Sequence, residues 1–240
     1  MQRHAAIVGT SIVTVIALAA VQQEHGDGWT RDFGVEAGEL SSTGRNPFFS
    51  LEPGERSMLT HAAVRLEVSV LPETRVIDGV ETRVVEERET SNGALIEVSR
   101  NYFAISRRTN SVYYFGEDVD IYKAGKVVSH EGSWISGLGG AHFGLFMPGT
   151  PLLHGRYYQE LAPRVAMDRA ELVSMSERVT TPAGAYTNVL KIEETTPLEP
   201  GQREYKLFAR GVGLIQDGEL TLIKTERVTR GRTASAPTIP

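Results

Sequence analysis

Val64-Arg65-Leu66-Glu67-Val68-Ser69-Val70 alternates strictly between apolar and polar residues. In an extended chain, successive side chains point to opposite faces. Val64, Leu66, Val68 and Val70 therefore share one face of a strand, and Arg65, Glu67 and Ser69 share the other. Working outward, Asp78-Gly79 separates this run from a second β-rich run. Asn92-Gly93 separates the second from a third, Ala94 to Ile105. A two-residue hairpin needs positive φ at its centre, and these residue pairs supply it at low steric cost. Ser111 to Phe115 reads as a further strand, and Ala124-Gly125 divides it from Lys126 to Trp134.

The second half continues the pattern. Arg156 to Leu161 reads as a strand. Val165 to Val179 fits both a helical face and a strand. The turn Thr180-Thr181-Pro182-Ala183-Gly184 and the β-like run Tyr186 to Glu194 that follow favour the strand. Glu204 to Arg210, Val212 to Ile215 and Glu219 to Val228 complete the set, with Asp217-Gly218 as the last hairpin turn. The fold class is all-β: an antiparallel meander of about ten to twelve strands forming a β-barrel or strongly curved sheet. One β-domain is expected over 47–230. Gly132 to Gly149 is glycine-rich and carries Trp134, Phe143, Phe146 and Met147, and it reads as a long connection pinned to the body by its apolar residues.

The ends differ in character. Arg3 and His4 precede an uncharged stretch from Ala5 to Gln23, with Ile12 to Val21 as its apolar core and Ala17-Leu18-Ala19 as a small-residue exit. That layout predicts a signal peptide over 1–19 and an extracytoplasmic location, periplasmic or secreted. The alternative is a retained anchor. Gly9, Thr10, Ser11 and Thr14 dilute the run below the roughly 20 apolar residues a span needs, so no stable membrane insertion is expected after removal. Residues 20–46 are polar and glycine-bearing and read as a flexible linker, and 231–240 as a disordered tail. The chain has no cysteine, which excludes disulfides and a lipid-bearing cysteine.

Several phrases stand out in order along the chain: Asn46-Pro47-Phe48-Phe49, Tyr114-Phe115-Gly116-Glu117-Asp118, Glu131-Gly132-Ser133-Trp134, Met147-Pro148-Gly149, Thr181-Pro182-Ala183-Gly184, and Glu194-Thr195-Thr196-Pro197-Leu198-Glu199-Pro200-Gly201. Together they resemble a family of exported bacterial β-rich proteins of unknown function, over roughly Asn46 to Val228. The resemblance implies a secreted β-domain and supplies no catalytic residues. Members of that family usually carry an aromatic-rich strand where this chain has Arg56-Ser57-Met58-Leu59-Thr60-His61.

The chemistry is narrowed mostly by elimination. Net charge is −5, which argues against a nucleic-acid partner, and no motif calls for a cofactor. The six histidines, His4, His25, His61, His130, His142 and His154, show no zinc-pair spacing. Glu117, Asp118 and Asp120 form a tight acidic cluster. At alternating positions Asp118 and Asp120 share a face, with Glu117 opposite, so those two are the metal candidates. Lys123 stands where a calcium loop needs glycine. Ser133 and Ser136 lack the nucleophile elbow. Glu160, Asp168 and Glu171 could serve as acid and base if they point into a barrel. The aromatics Tyr113, Tyr114, Phe115, Trp134, Phe143, Tyr157 and Tyr158 crowd the middle of the chain and could line a concave surface. The candidate ligand-binding residues are Tyr114, Trp134, His142, Phe143, Tyr158, Glu160 and Asp168. The expected function is non-catalytic binding of an apolar or amphipathic small molecule. A carboxylate-dependent hydrolase or isomerase is the alternative, and a structural envelope role the second. Oligomeric state is open.

Overall fold

A computed structural model describes residues 28–228. The expected signal peptide, residues 20–27 of the expected linker and the tail 231–240 lie outside them. Three two-residue strands come first: β1 (Leu40–Ser41), β2 (Arg45–Asn46) and β3 (Phe49–Ser50). A meander follows with β4 (Glu55–His61), β5 (Val64–Ile77), β6 (Val80–Ser91), β7 (Ala94–Ser106) and β8 (Val112–Lys123). Shorter strands occupy the middle: β9 (Lys126–Ser129), β10 (Trp134–Ile135), β11 (His142–Met147), β12 (Arg156–Tyr158) and β13 (Glu160–Leu161). A second meander holds β14 (Arg169–Thr181), β15 (Gly184–Thr195), β16 (Glu204–Ala209), β17 (Gly213–Asp217) and β18 (Leu220–Arg227). Among the described residues the one helical element is a 3-10 turn at Ala37–Glu39, and no helix is long and apolar enough to cross a membrane.

The hydrogen-bonded path runs β12-β14-β15-β16-β17-β18-β4-β5-β6-β7-β8-β11-β13, with β1 added to β7 and β9 and β10 added to β8. β12 and β13 are halves of one segment, 156–161. The path therefore comes back nearly to its own start, as an antiparallel, barrel-like sheet. The sheet has 16 strands rather than about ten to twelve, and β2 and β3 pair separately. Part of the surplus comes from Gly132 to Gly149. That stretch is not a plain connection, since it supplies β10 and β11, both paired with β8.

The hairpins follow from their turn residues. Asp78 and Gly79 have φ of 50° and 75°, and Asn92 and Gly93 have 52° and 78°. Positive φ at both central residues is the type I′ pattern, whose twist suits the flanking strands. The last hairpin turn is displaced by one residue from Asp217-Gly218. Asp217 pairs with Leu220, so Gly218 and Glu219 are central. Gly218 alone has positive φ, 53°, as a type II′ turn requires at its first position. Val165–Val179 resolves as β14 from Arg169 on, and Ala170 and Leu172 supply its buried apolar residues.

The residues from Gly28 to Asn46, expected as linker, lie along the sheet. Thr30 bridges Tyr157, with its N–H donating to the Arg156 carbonyl at 3.0 Å and its carbonyl accepting from the Tyr158 N–H at 2.9 Å. Leu40, with Phe33 and Val35, packs on a buried cluster that includes Val84, Tyr102, Tyr113 and Phe115. The buried Arg83 guanidinium donates to the Ser42 carbonyl at 2.9 Å and to Thr43 Oγ1 at 2.7 Å. The contacts of Phe33, Val35 and Leu40 cover apolar surface that the outer face of the sheet would otherwise expose.

The inner face holds the largest core cluster, with Val70, Val85, Phe103, Tyr114, Trp134, Leu190, Ile192 and Phe208 among its buried members. Phe103 stacks on Tyr114 at 4.6 Å, and Phe146 approaches Phe103 at 4.9 Å. A third cluster, around Leu59, Leu66, Leu207, Ile215 and Leu222, joins the two meanders where β18 pairs with β4.

Candidate functional site

Cross-strand register decides which side chains share the inner face, because directly opposed residues point the same way. Val85 opposes Val70 and Asn101, and Glu87 opposes Val68 and Ser99. Asn101 opposes Glu117, and Glu117 opposes Trp134. Glu87 and Glu117 therefore stand on the face of the apolar core. On the far side of the ring, Tyr157 opposes Ala170, Ala170 opposes Glu194, and Ile192, next but one to Glu194, opposes Lys206. Lys206 in turn opposes Asp217. Two rows of acids from the two meanders thus meet across one interior.

Part of that interior is a cavity of about 330 Å³ walled by Glu117, Glu160, Asp168 and Glu194, with Arg203 and Glu204 towards its rim. Lys206 binds Glu194 at 2.8 Å, and Gln159 Nε2 donates to the other Glu194 oxygen at 3.1 Å. Arg203 is engaged elsewhere, with Glu193 at 3.2 Å. Among the described residues the Glu87 and Glu160 carboxyl groups have no hydrogen-bonded or ion-paired partner.

Burial and mutual repulsion govern the ionisation of these groups. Burial pushes Glu87 up to about 7 against the pull of Lys206. Burial and then the Glu87 charge push Glu117 up to about 7. Glu160 is held well above the usual carboxylate range by burial, then by Glu117 and Asp168. Asp168 and Asp217 are raised by burial as well. Burial works against the charge of Lys206, but Glu194 and Asp217 outweigh it and hold the ammonium well above its ordinary value.

A second cavity, about 350 Å³, adjoins the first across Val165, which lines both. Its walls include Trp134, Ile135, Leu138, Ala141 and Ala162. Leu138 and Val165 are exposed at its edge. Trp134 is only 5% exposed, and among the described residues its buried Nε1–H has no acceptor. Tyr157 is also 5% exposed, and among the described residues its buried hydroxyl has no partner. Native interiors rarely leave such groups unpaired.

The expected residues divide between the two faces. Tyr114, Trp134, Glu160 and Asp168 come together inside, Tyr114 meeting Trp134 edge-on at 5.4 Å. His142 is exposed on β11. Phe143 packs in the outer cluster, stacked on Phe115 at 4.8 Å, although its partner on β13 is Glu160, whose side chain lines the cavity. Tyr158 points away from the interior and packs edge-on against Trp29 at 6.4 Å, with the Arg31 guanidinium 4.9 Å above its ring. Asp118 and Asp120 share the outer face, as the alternation implied. Asp118 takes Arg75 at 2.8 Å and the Tyr102 hydroxyl at 2.6 Å, and Asp120 takes Arg100 at 3.3 Å and His130 at 3.0 Å. Arg75, Tyr102, Arg100 and His130 thus already partner the two carboxylates. Glu171 likewise faces outward, paired with Arg156 at 2.8 Å.

Sequence reasoning missed Glu87, Glu194, Lys206 and Asp217, and it named Tyr157 among the aromatics without choosing it over Tyr158. One signal was available: each acid sits in an alternating strand on the parity of apolar residues, Glu87 with Val85 and Glu194 with Ile192. Compared with known proteins, the chain matches no family model, no curated protein and no solved structure.

Proposed function

We propose that this protein is an exported, non-catalytic binding protein that takes an amphipathic small molecule at the end of its barrel. The observation that carries the reading is the Trp134 indole N–H. It is buried and unpaired in the wall of an apolar notch, and a ligand acceptor placed there would relieve the cost of leaving it bare. The notch and the acidic cavity adjoin, so an apolar part can lie against Trp134 and Leu138 while a polar part reaches Glu117 and Glu160. Export rests on the N-terminal pattern and on the resemblance to exported β-rich proteins. N-terminal sequencing of protein recovered outside the cytoplasm should find a start near Ala20.

Binding is tested by Trp134 emission in a Trp29→Phe background during titration with apolar and amphipathic compounds, alongside native mass spectrometry of protein purified from its own host. A shifted emission or a co-purifying mass is expected. An inert spectrum together with a bare mass would leave the structural role. One observation favours a second reading, a carboxylate-dependent hydrolase or isomerase: Glu117, at about 7, lies in the range of a general acid at neutral pH. Turnover of a bound ligand, abolished by Glu117→Gln, would establish it.

A further inference from the structure

The outer and inner faces of the same strands treat acids differently. Outside, Glu86 holds Arg88 and Arg100, Asp120 holds Arg100, and Asp118 holds Arg75. Inside, Glu87, Glu160, Asp168, Glu194 and Asp217 share the field of Lys206, whose nitrogen is bonded to Glu194, and Glu117 stands beside Glu87 and Asp168. An unneutralised carboxylate in a desolvated space is costly. The cavity wall therefore carries more acid than the protein itself compensates.

A separate observation points the same way. The Tyr157 hydroxyl is buried and has no partner among the described residues. Tyr157 stands in the row Tyr157, Ala170, Glu194 on the inner face, close enough to Glu194 for that charge to add to burial in raising the phenol. A phenol held firmly neutral can accept a hydrogen bond from a cationic N–H.

We propose that the polar end of the ligand is an alkylammonium group, seated among Glu117, Glu160, Asp168 and Glu194 and accepted by the Tyr157 hydroxyl. This rests on the binding reading above and names the chemistry of the head group. The cation supplies a direct ion-pair partner to carboxylates other than Glu194, the one that Lys206 bonds. The apolar chain leaves over Val165 into the Trp134 notch. Entry of the cation displaces protons that burial and repulsion hold on the carboxyls, so binding releases protons.

The test uses the full protein and three probes with one tail, each below its micelle concentration: dodecylammonium, dodecanol and dodecanoate. Isothermal titration should find dodecylammonium at least about tenfold tighter than dodecanol, and dodecanoate weakest. The heat for the amine should vary with the ionisation enthalpy of the buffer, as proton release requires. The double variant Glu160→Gln/Asp168→Asn, checked for folding by circular dichroism, should lose at least about tenfold in amine affinity while dodecanol is unchanged. If all three probes bind alike, or the double variant binds the amine as the parent does, the ammonium head group is overturned and amphiphile binding stands. If no dodecyl probe binds, the binding reading itself falls.

Discussion

Glu117 and Asp118 are neighbours with opposite surroundings. Asp118 faces out to Arg75 and Tyr102, while Glu117 faces in to Glu87 and Tyr114. Glu87 and Glu117 are both raised from 4.5 to about 7, so the folded state binds their protons more tightly than the unfolded chain does. Their contribution to stability is complete below pH 4.5 and is lost as pH rises through about 7. The protein should accordingly be more stable at pH 5 than at pH 8, by about 2 kcal/mol once solvent access to the cavity is allowed for. Thermal melts at the two pH values check this, and Glu87→Gln/Glu117→Gln should remove at least half of the difference. Lys206→Met strips the countercharge from Glu194 and should cost about 3 kcal/mol at pH 8. The loss should be smaller at pH 5, as read by urea denaturation. The alternation of β8 made the opposed directions of Glu117 and Asp118 legible in the sequence. Which direction is inward was not, because that depends on β8 meeting β10 and β7 through register shifts between Asn101 and Phe103. The acids of β15 and β16 were illegible as partners of Glu117 for a plainer reason. They lie on the second meander, and only closure of the sheet brings them across.

At the scale of strands and turns, local chemistry decided most of the outcome. The Asp78-Gly79 and Asn92-Gly93 hairpins were legible because a two-residue turn has few residue solutions. Gly93 meets no neighbour within van der Waals reach, so Gly93→Val is a pure test of its φ of 78°. It should destabilise by more than about 1 kcal/mol in chemical denaturation. Gly144 is the opposite case. Its φ is ordinary, but a Cβ there would collide with the Gln159 and Tyr158 carbonyls where β11 runs against the segment 156–161. Gly144→Ala should cost about 3 kcal/mol or more and loosen the acidic cavity beside it, seen as faster hydrogen exchange at Glu160 and Leu161. Nothing in Phe143-Gly144-Leu145 announces that role, since the partner backbone is reached through a loop and two short strands. Asn46 is similar. Its amide ties together the carbonyls of Asn110 and Pro148 at 2.9 and 3.0 Å and its oxygen accepts from the Phe48 N–H at 2.8 Å, three segments that no local pattern links.

For the whole molecule, the period-two pattern carried the fold class, while strand number and closure depended on contacts between distant segments. The Gly28–Asn46 arm was read as linker because its apolar residues are sparse. Four of them, Phe33, Val35 and Leu40 with Trp29, suffice because the sheet offers a ready surface for each. A chain beginning at Ser42 should therefore expose Tyr113, Phe115 and Phe143, bind hydrophobic dye and melt several degrees lower. The two meanders have a further consequence. The chain segments that carry them pair along two lines, β18 on β4 and β13 on β11, and between the segments the chain passes through Thr150 to His154, where Leu152 and Leu153 are exposed. A cut between those two leucines severs no strand. The pieces on either side would each keep their own hairpins and half of each line of contact, so fragments ending at Leu152 and beginning at Leu153, mixed as separate chains, should restore the circular dichroism of the intact protein.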